Sequence, residues 1–464
     1  NMMKTQKITI KNFKAVKAAE IDIKKTVVLI GEQASGKSTI AKLVYFFKSM
    51  KDDYLDVISE NINDLSSQKD ITDKLWAAIG KKFYRFFGSI QHLPSFEICY
   101  TYSEDKMVTL KQEKKDGKKS LDITFSPDSF YTDITKSVLL HIKKIQEMAT
   151  QRDIFAGTTY RAALKELSSY VEYLFQEPRQ LVFIPAGRNI TVTYPDFFRF
   201  NFAGSLSSEL ALIKDESKDE NEGPARFVED TYLMAQFVRW IQTVIDTFKG
   251  RSFESFLERI SNGKNQHNYK YAAMAMEKIE QILKGKYKYD GHFGEQILFD
   301  DKDYVHLSNA SSGQQEVIRI LQDIFLVLIN QEKAFRVIEE PEAHLFPTGQ
   351  KRLIETIALM LNATDSQIFL TTHSPYILSI FTNLLFASSV NNEVIEEKTI
   401  PVHCRLKSSE TSVYALLDGE SKSIIDKETG LIEQNALDSV SEELAGEFDF
   451  MYTKLIEKRR RDNG

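Results

Sequence analysis

Cysteine is scarce: Cys99 and Cys404 are the only two in 464 residues. They lie far apart in apolar surroundings and form no C-x-x-C pair. That argues against a zinc site or a disulfide framework and fits a reducing compartment. No apolar run reaches membrane-spanning length, and the N-terminal stretch lacks a signal-peptide apolar core, so a cytoplasmic location is expected. An excess of positive charge is missing too. The net charge is -6, from 60 Lys plus Arg against 66 Asp plus Glu. This gives no bulk attraction to nucleic acid, and any such surface has to be a local patch. No heptad is sustained long enough for a coiled-coil arm. The rest is ordinary globular composition, 42% hydrophobic and 27% charged, with no long tract of disordered character. The length exceeds one ordinary domain, so a main domain plus an insertion is expected.

What is present centres on Gly31-Glu32-Gln33-Ala34-Ser35-Gly36-Lys37-Ser38, followed by Thr39. Val27-Val28-Leu29-Ile30 before it has the character of a buried strand, and Ile40 to Val44 after it has helical spacing. Strand, glycine loop and helix form the context in which G-x-x-x-x-G-K-[ST] means a phosphate cradle. A polyphosphate needs convergent N–H donors, which a tight loop and a helix N-terminus supply without side chains. Gly31 and Gly36 allow the turn and the close approach. Lys37 brings a compact cation to the phosphates, and the Ser38 hydroxyl can ligate Mg²⁺.

In chain order, Ile8-Thr9-Ile10 and Ala19-Glu20-Ile21-Asp22-Ile23 alternate, and with Val27 to Ile30 they suggest a small antiparallel start. Residues 51 to 93 have mixed, helical character, and Phe96 to Tyr100 form a strand. Met107 to Leu110 and Leu121 to Phe125 flank Lys114-Lys115-Asp116-Gly117-Lys118-Lys119, a hairpin tip that is either a solvated turn or a nucleic-acid contact. From 127 to 177 the pattern is helical, with Val138, Leu139, Ile142 and Ile145 in phase. Gln180 to Ile184 is a strand that leads into Pro185-Ala186-Gly187-Arg188. Residues 215 to 224 form the most loop-like stretch. Helix then resumes from 225 to 285, with Phe227, Leu233, Phe237, Trp240 and Ile241 as a packing stripe.

Three later blocks carry chemistry. Leu307-Ser308-Asn309-Ala310-Ser311-Ser312-Gly313-Gln314-Gln315-Glu316 opens a helix running from Val317 to Leu328. Small residues at a helix start suit an ordinary Ser N-cap or a second anion-binding surface. Phe335-Arg336-Val337-Ile338 is a strand ending in Glu339-Glu340-Pro341-Glu342-Ala343-His344-Leu345. Carboxylates at a strand's C-terminal end sit where open α/β sheets hold ligands. Glu339 can reach the Mg²⁺ shell, while Glu340 can orient and deprotonate water. Gln367 to Thr372 is a further strand ending at His373-Ser374-Pro375, where a histidine can sense the nucleotide's terminal phosphate. His344 is a candidate for a subunit contact.

Taken together, residues 31–39, 310–314, 337–345 and 371–375 resemble, in order, the Walker A, signature, Walker B/D-loop and switch-histidine motifs of ABC-type ATPase heads. Within that class the wordings Glu-Glu-Pro-Glu-Ala-His-Leu, Ser-Ser-Gly-Gln-Gln and Thr-Thr-His-Ser-Pro are similar to those of the RecF, SMC and overcoming-lysogenisation-defect (OLD) group. Asn12-Phe13-Lys14 also matches, with Lys14 where the group often has Arg near the nucleotide. The resemblance covers residues 1 to 50 and 295 to 390 well. Glu339 replaces the aspartate usual in the wider class, Ser312 stands where the longer signature has glycine, and the glutamine loop is not identifiable.

The resemblance implies an α/β fold: an ABC-type head with a mixed N-terminal sheet, a mostly parallel P-loop sheet with flanking helices, and a large, mainly helical insertion. The implied division is 1–126 for the first part of the head and 127–290 for the insertion, with strand 180–184 returning to the head. Residues 291–390 then complete the head, and strands and a helix within 391–464 pack on it. ATP and Mg²⁺ are the implied cofactors, and ATP hydrolysis the activity. By the same analogy Ser311, Ser312, Gly313 and Gln314 act in trans, so that ATP joins a head-to-tail dimer, with Lys37, Glu340 and His373 catalytic and Ser38 and Glu339 on the metal. Arg188 and Lys14 are secondary nucleotide candidates.

About 75 residues follow the switch region, fewer than the Toprim nuclease domain of OLD enzymes needs. The acids there (Asp418, Glu420, Asp426, Asp438) are scattered, so no nuclease is expected within the chain. ATPases of this make-up resemble the ATP-binding subunits of the anti-phage systems Septu and PARIS, which partner separate nuclease effectors and respond to a phage trigger. The alternative is a RecF-like DNA-binding repair clamp, which the acidic balance disfavours. A transporter subunit usually has a much shorter stretch between Walker A and signature. The terminal residues 458–461 (Lys-Arg-Arg-Arg) suit a solvated tail.

Overall fold

The computed structural model describes residues 6–115, 118–150, 156–193, 231–261, 266–300, 303–390, 400–433 and 449–453. The hairpin tip at Asp116 and Gly117, the loop 215–224, Phe227, Asp438 and the basic stretch 458–461 lie outside the described residues.

β1 (Gln6–Phe13) and β2 (Val16–Ile23) alternate in burial and pair antiparallel, with Ile8 opposite Ile21 and Ile10 opposite Ala19. One face packs and the other meets water, as the period-two pattern requires. β3 (Thr26–Gly31) is buried along its whole length, so it needs cover on both sides. Its side chains divide accordingly: Val27 and Leu29 join one core, Val28 and Ile30 the other.

The first core is closed by α1 (Lys37–Lys48), α2 (Met50–Asn61) and α3 (Gln68–Phe87). Then come β4 (Glu97–Ser103), β5 (Lys106–Lys115) and β6 (Lys118–Ser126), an antiparallel run continuing from β1. Helices α4 (Asp128–Thr132), α5 (Val138–Thr150) and α6 (Ala156–Leu174) return to that side. β7 (Gln180–Ile184) and the short α7 (Ile190–Thr193) follow.

The second core is covered by α8 (Thr231–Phe248), α9 (Phe253–Ser261) and α10 (Gln266–Leu283). A separate antiparallel sheet of β8 (Lys286–Asp290), β9 (Gly294–Leu298) and β10 (Tyr304–His306) comes next. Helical character was expected up to residue 285 and no strand directly after it; the three strands are only three to five residues long, and although Tyr287 and Tyr289 alternate with lysines, so short a run is a weak signal. α11 (Ser312–Asn330), β11 (Ala334–Glu339), α12 (Pro347–Ala363), β12 (Gln367–Thr372) and α13 (Pro375–Ser389) complete the layer. β13 (Thr411–Leu417) and β14 (Glu420–Ser423) form a late hairpin.

The main sheet has eleven strands in the order β6-β5-β4-β1-β2-β14-β13-β3-β12-β11-β7. Its last five, from β13 to β7, are mutually parallel. The expected class, a mixed N-terminal sheet running into a mostly parallel P-loop sheet with flanking helices, is the one observed. One detail is corrected. Val27 to Ile30 do not continue the antiparallel start, because β14 and β13 stand between β2 and β3. A strand buried on both faces belongs inside the parallel part, and the alternating β1–β2 pair does not supply that environment. Among the described residues no helix is long and apolar enough to cross a membrane.

Candidate functional site

β3 ends at Gly31 and α1 begins at Lys37, with the loop between them. Each loop glycine answers a close approach. A Cβ on Gly31 would meet the Leu416 carbonyl oxygen at 2.7 Å, and one on Gly36 would meet Val16 Cγ2 at 2.7 Å. Gly36 caps α1 with φ 104°, a conformation that L side chains rarely adopt. Lys37, Ser38 and Thr39 form the first turn of α1, where helices leave amide N–H groups without intrahelical partners.

Lys37 is only 6% exposed. Its ammonium donates to the carbonyls of Gly31 at 2.8 Å and Glu32 at 2.6 Å, and it lies 3.2 Å from Nδ1 of His373. Burial pulls its pKa below the ordinary lysine value, against the opposing pull of Glu340 and Glu342.

Parallel pairing brings the other groups to the same edge. Thr372 lies beside Ile30 and Glu339 beside Thr371, so Gly31, His373 and Glu340, each one residue further along, converge where the strands end. The Ser38 hydroxyl donates to Glu339 Oε1 at 2.5 Å, and the Ala186 amide donates to Glu339 Oε2 at 3.3 Å. His373 Nε2 is 2.5 Å from Glu340 Oε1. His373 Nδ1 also lies 3.1 Å from the Gly31 carbonyl, which can only accept, whereas the Lys37 ammonium can only donate, so the two Nδ1 contacts call for opposite proton positions on the ring.

These groups line one cavity of about 290 Å³, bounded by Gln33 to Ser38 along the loop and by Ala186, Glu339, Glu340, Thr371 and His373. Gly31 and Glu32 stand behind it and contribute the carbonyls that hold Lys37. Thr39, Lys14 and Ser311 to Gln314 are not among its lining residues. The Lys14 ammonium lies 5.8 Å from the centre of the Phe87 ring. At the start of α11, Ser311 and Gln314 form a reciprocal capping box, and Ser311 and Ser312 are exposed. Gly313 lies against the neighbouring turn: a Cβ there would come within 2.5 Å of the His344 carbonyl oxygen.

Glu340 adopts φ 45° and His344 φ 58°. A left-handed residue other than glycine costs on the order of 1–3 kcal/mol and persists only where its surroundings dictate it. The Glu340 amide donates to the Thr371 carbonyl at 2.9 Å. Glu342, given no role from the sequence, accepts from the Thr372 hydroxyl at 2.5 Å and from the His373 amide at 2.9 Å. It thereby fixes the turn that presents the histidine. Ala186 carries no side-chain signal of its own, only its place two residues beyond the end of β7.

Arg188 is a correction. Its guanidinium is fully buried and bonds to backbone carbonyls, so it does not face the cavity as a nucleotide ligand. Burial lowers its pKa, with Glu316 the strongest opposing influence.

A glycine loop on a parallel strand, with two carboxylates and a histidine from the neighbouring strand ends, defines a P-loop nucleotide-binding site. Residues 3–378 match the family described as AAA ATPase domain, and the chain belongs to that family. No curated protein matches it in sequence. Among solved structures it is similar to an SmcHead bound to the C-winged helix domain of ScpA, at 12% identity and TM-score 0.39, covering 91% of this chain and 97% of that one. An SMC head domain from Thermotoga maritima matches at 14% identity and TM-score 0.34, over 91% and 98% of the two chains. An Smc head domain with an extended coiled coil, bound to the C-terminal domain of ScpA and derived from Pyrococcus furiosus, matches at 13% and TM-score 0.35, over 95% and 99%.

Proposed function

We propose that the chain binds Mg-ATP in this cavity and hydrolyses it. The observation that carries the reading is the convergence of Lys37, Ser38, Glu339, Glu340 and His373 on one cavity. Lys37 exchanges its loop carbonyls for phosphate oxygens. The first-turn amides of α1 direct their N–H groups at the same anion. Ser38 and Glu339 offer the hard oxygen donors that Mg²⁺ takes, and the ion would neutralise phosphate charge. Among the described residues no group of three or more His, Cys, Asp or Glu could hold a metal alone, so this ion would share its coordination with the phosphates. Glu340, with 38% of its side chain exposed, accepts the proton of the attacking water, while His373 orients its carboxylate.

The reading extends to assembly. In a head-to-tail pair, Ser311, Ser312, Gly313 and Gln314 of one copy close on the phosphate held by the other. The exposure of Ser311 and Ser312 outside their own cavity supports this. So do Phe346, 75% exposed after the carboxylate turn, and Tyr376, 57% exposed after His373. For biological role we favour a sensor or scaffold subunit of an anti-phage complex that holds a separate nuclease effector until a phage trigger arrives. The support is the wording of residues 311–315, 339–345 and 371–375.

The test is ATP binding, turnover and size-exclusion chromatography on purified protein. Lys37→Ala is expected to lose ATP affinity. Glu340→Gln is expected to keep ATP, to lose about 10²–10⁴-fold in turnover, and to elute as a dimer with ATP. Wild-type turnover in Lys37→Ala sinks the site assignment. A Glu340→Gln protein that stays monomeric with ATP sinks the paired form. Co-purification with a neighbouring-gene nuclease supports the defence role, whereas salt-dependent DNA binding by the protein alone overturns it in favour of repair.

A further inference from the structure

Arg188 does not line the cavity, yet it touches the backbone of both carboxylates that do. Nη1 donates to the Glu339 carbonyl at 2.9 Å and Nη2 to the Glu340 carbonyl at 3.0 Å. Nη1 also reaches the Pro185 carbonyl at 3.2 Å. Nε donates to the Glu316 carbonyl at 2.9 Å and lies 3.5 Å from that residue's carboxylate. One planar group therefore joins the loop after β7, the start of α11 and the end of β11. The two carbonyls it grips, at the end of β11 and just beyond it, belong to the peptide units on either side of the Glu340 Cα, and Glu340 is the residue with left-handed φ. A conformation that costs free energy needs such over-determination, and the direction of the Glu340 side chain follows from it.

We propose that Arg188 is a positioning residue for the hydrolytic step: anchored on α11, it holds the backbone of Glu340 so that the carboxylate faces the cavity. The inference rests on the reading of Glu340 as the group that directs water. A lysine cannot substitute, because a compact ammonium lacks the rigid fork that reaches three chain segments together. Arg188 makes no bond to the phosphate loop, and it holds Glu339 only by the backbone carbonyl while Ser38 and the Ala186 amide hold that residue's carboxylate, so the expected effect falls on turnover and not on ATP affinity.

The experiment compares Arg188→Lys and Arg188→Gln with wild type for thermal midpoint, ATP Kd and kcat, and repeats kcat on a Glu340→Gln background by single turnover. The expected result is an unchanged ATP Kd with kcat down about 100-fold, the scale of a misplacement near 1 Å. On the Glu340→Gln background the Arg188 substitution adds no further loss, because the two residues act as one unit. A kcat equal to wild type overturns the proposal. So does a parallel loss of ATP affinity, or a loss that multiplies with that of Glu340→Gln. Should Arg188→Gln fail to fold, Arg188→Lys keeps the buried charge opposite Glu316 and carries the same readings. A wild-type protein without turnover, or a Glu340→Gln protein with full turnover, instead brings down the reading of the site itself.

Discussion

Glu340 and Asp70 are both acids held by neighbouring groups, and they differ in how far away those groups lie in sequence. At Asp70 the partners are local. Its carboxylate accepts from the Ser67 amide at 2.8 Å, the Ser66 amide at 3.1 Å and the Ser66 hydroxyl at 2.9 Å, while its own amide donates to Ser67 Oγ at 3.2 Å. Bonds from Ser67 and then Ser66 hold its pKa down at about 2, against 3.8 for a free aspartate. A depressed folded-state pKa means stabilisation that is complete above the unfolded value and lost as pH falls through the folded one. The melting-temperature gap between wild type and Asp70→Ala is therefore expected to be present above pH 3.8 and to close on approach to about pH 2. A gap that widens on acidification contradicts the assignment. Such a cap can be read from four adjacent letters. The bonds around Glu340 come from Thr371, His373 and Arg188, and the left-handed backbone they enforce is invisible in Glu-Glu-Pro.

At the scale of elements, α11 shows what hydrophobic periodicity hides. Its sequence suits an apolar helix, and most of it is buried. Three buried polar contacts nonetheless fix it to its surroundings: Glu316 to Arg188, Arg319 to Glu295 at 2.6 Å, and Asp323 to Arg336 at 2.7 Å. Positions 316, 319 and 323 follow helical spacing along one side, and the partners come from the β7 loop, β9 and β11. Trp240 on α8 adds a bond to Asp323 at 2.9 Å. The strand, its helix and the candidate acids were each legible because motif spacing and apolar runs are local signals. The pairs that set the register between them were not, since each half alone looks like an ordinary charged residue. Removing one half is severe: Asp323→Ala leaves the fully buried Arg336 guanidinium without its carboxylate, for an expected loss of roughly 3–5 kcal/mol in denaturant unfolding. A loss within experimental error of zero would show that Gln180, already bonded to Arg336, takes up the charge.

For the whole molecule, the decisive feature is a hairpin from late in the chain that sits in the middle of the sheet. β13 pairs with β3 from Thr411 beside Thr26 to Leu416 beside Gly31. The turn after it docks on the β1–β2 turn, where Lys17 donates to the Gly419 carbonyl at 2.8 Å. Directly after that turn, Val16 at the start of β2 packs behind Gly36. The sequence suggested strands packing on the head, but it gave no sign of this insertion, since strand order depends on long-range pairing. Gly419 has φ +85°, and a Cβ there would meet the Ala15 carbonyl at 2.6 Å. Gly419→Val is expected to lower the thermal midpoint and to weaken ATP affinity, with backbone strain alone contributing of order 1–3 kcal/mol. Calorimetry with and without ATP separates the two effects, and an unchanged midpoint would refute the docking.

Strand order also imposes an order of events during synthesis. The phosphate loop leaves the ribosome well before the strand that forms its flank. Nascent protein must therefore wait, with β3 bare along one edge, until Leu416 arrives. The flank of the phosphate loop is thus closed only by a strand made long after the loop itself.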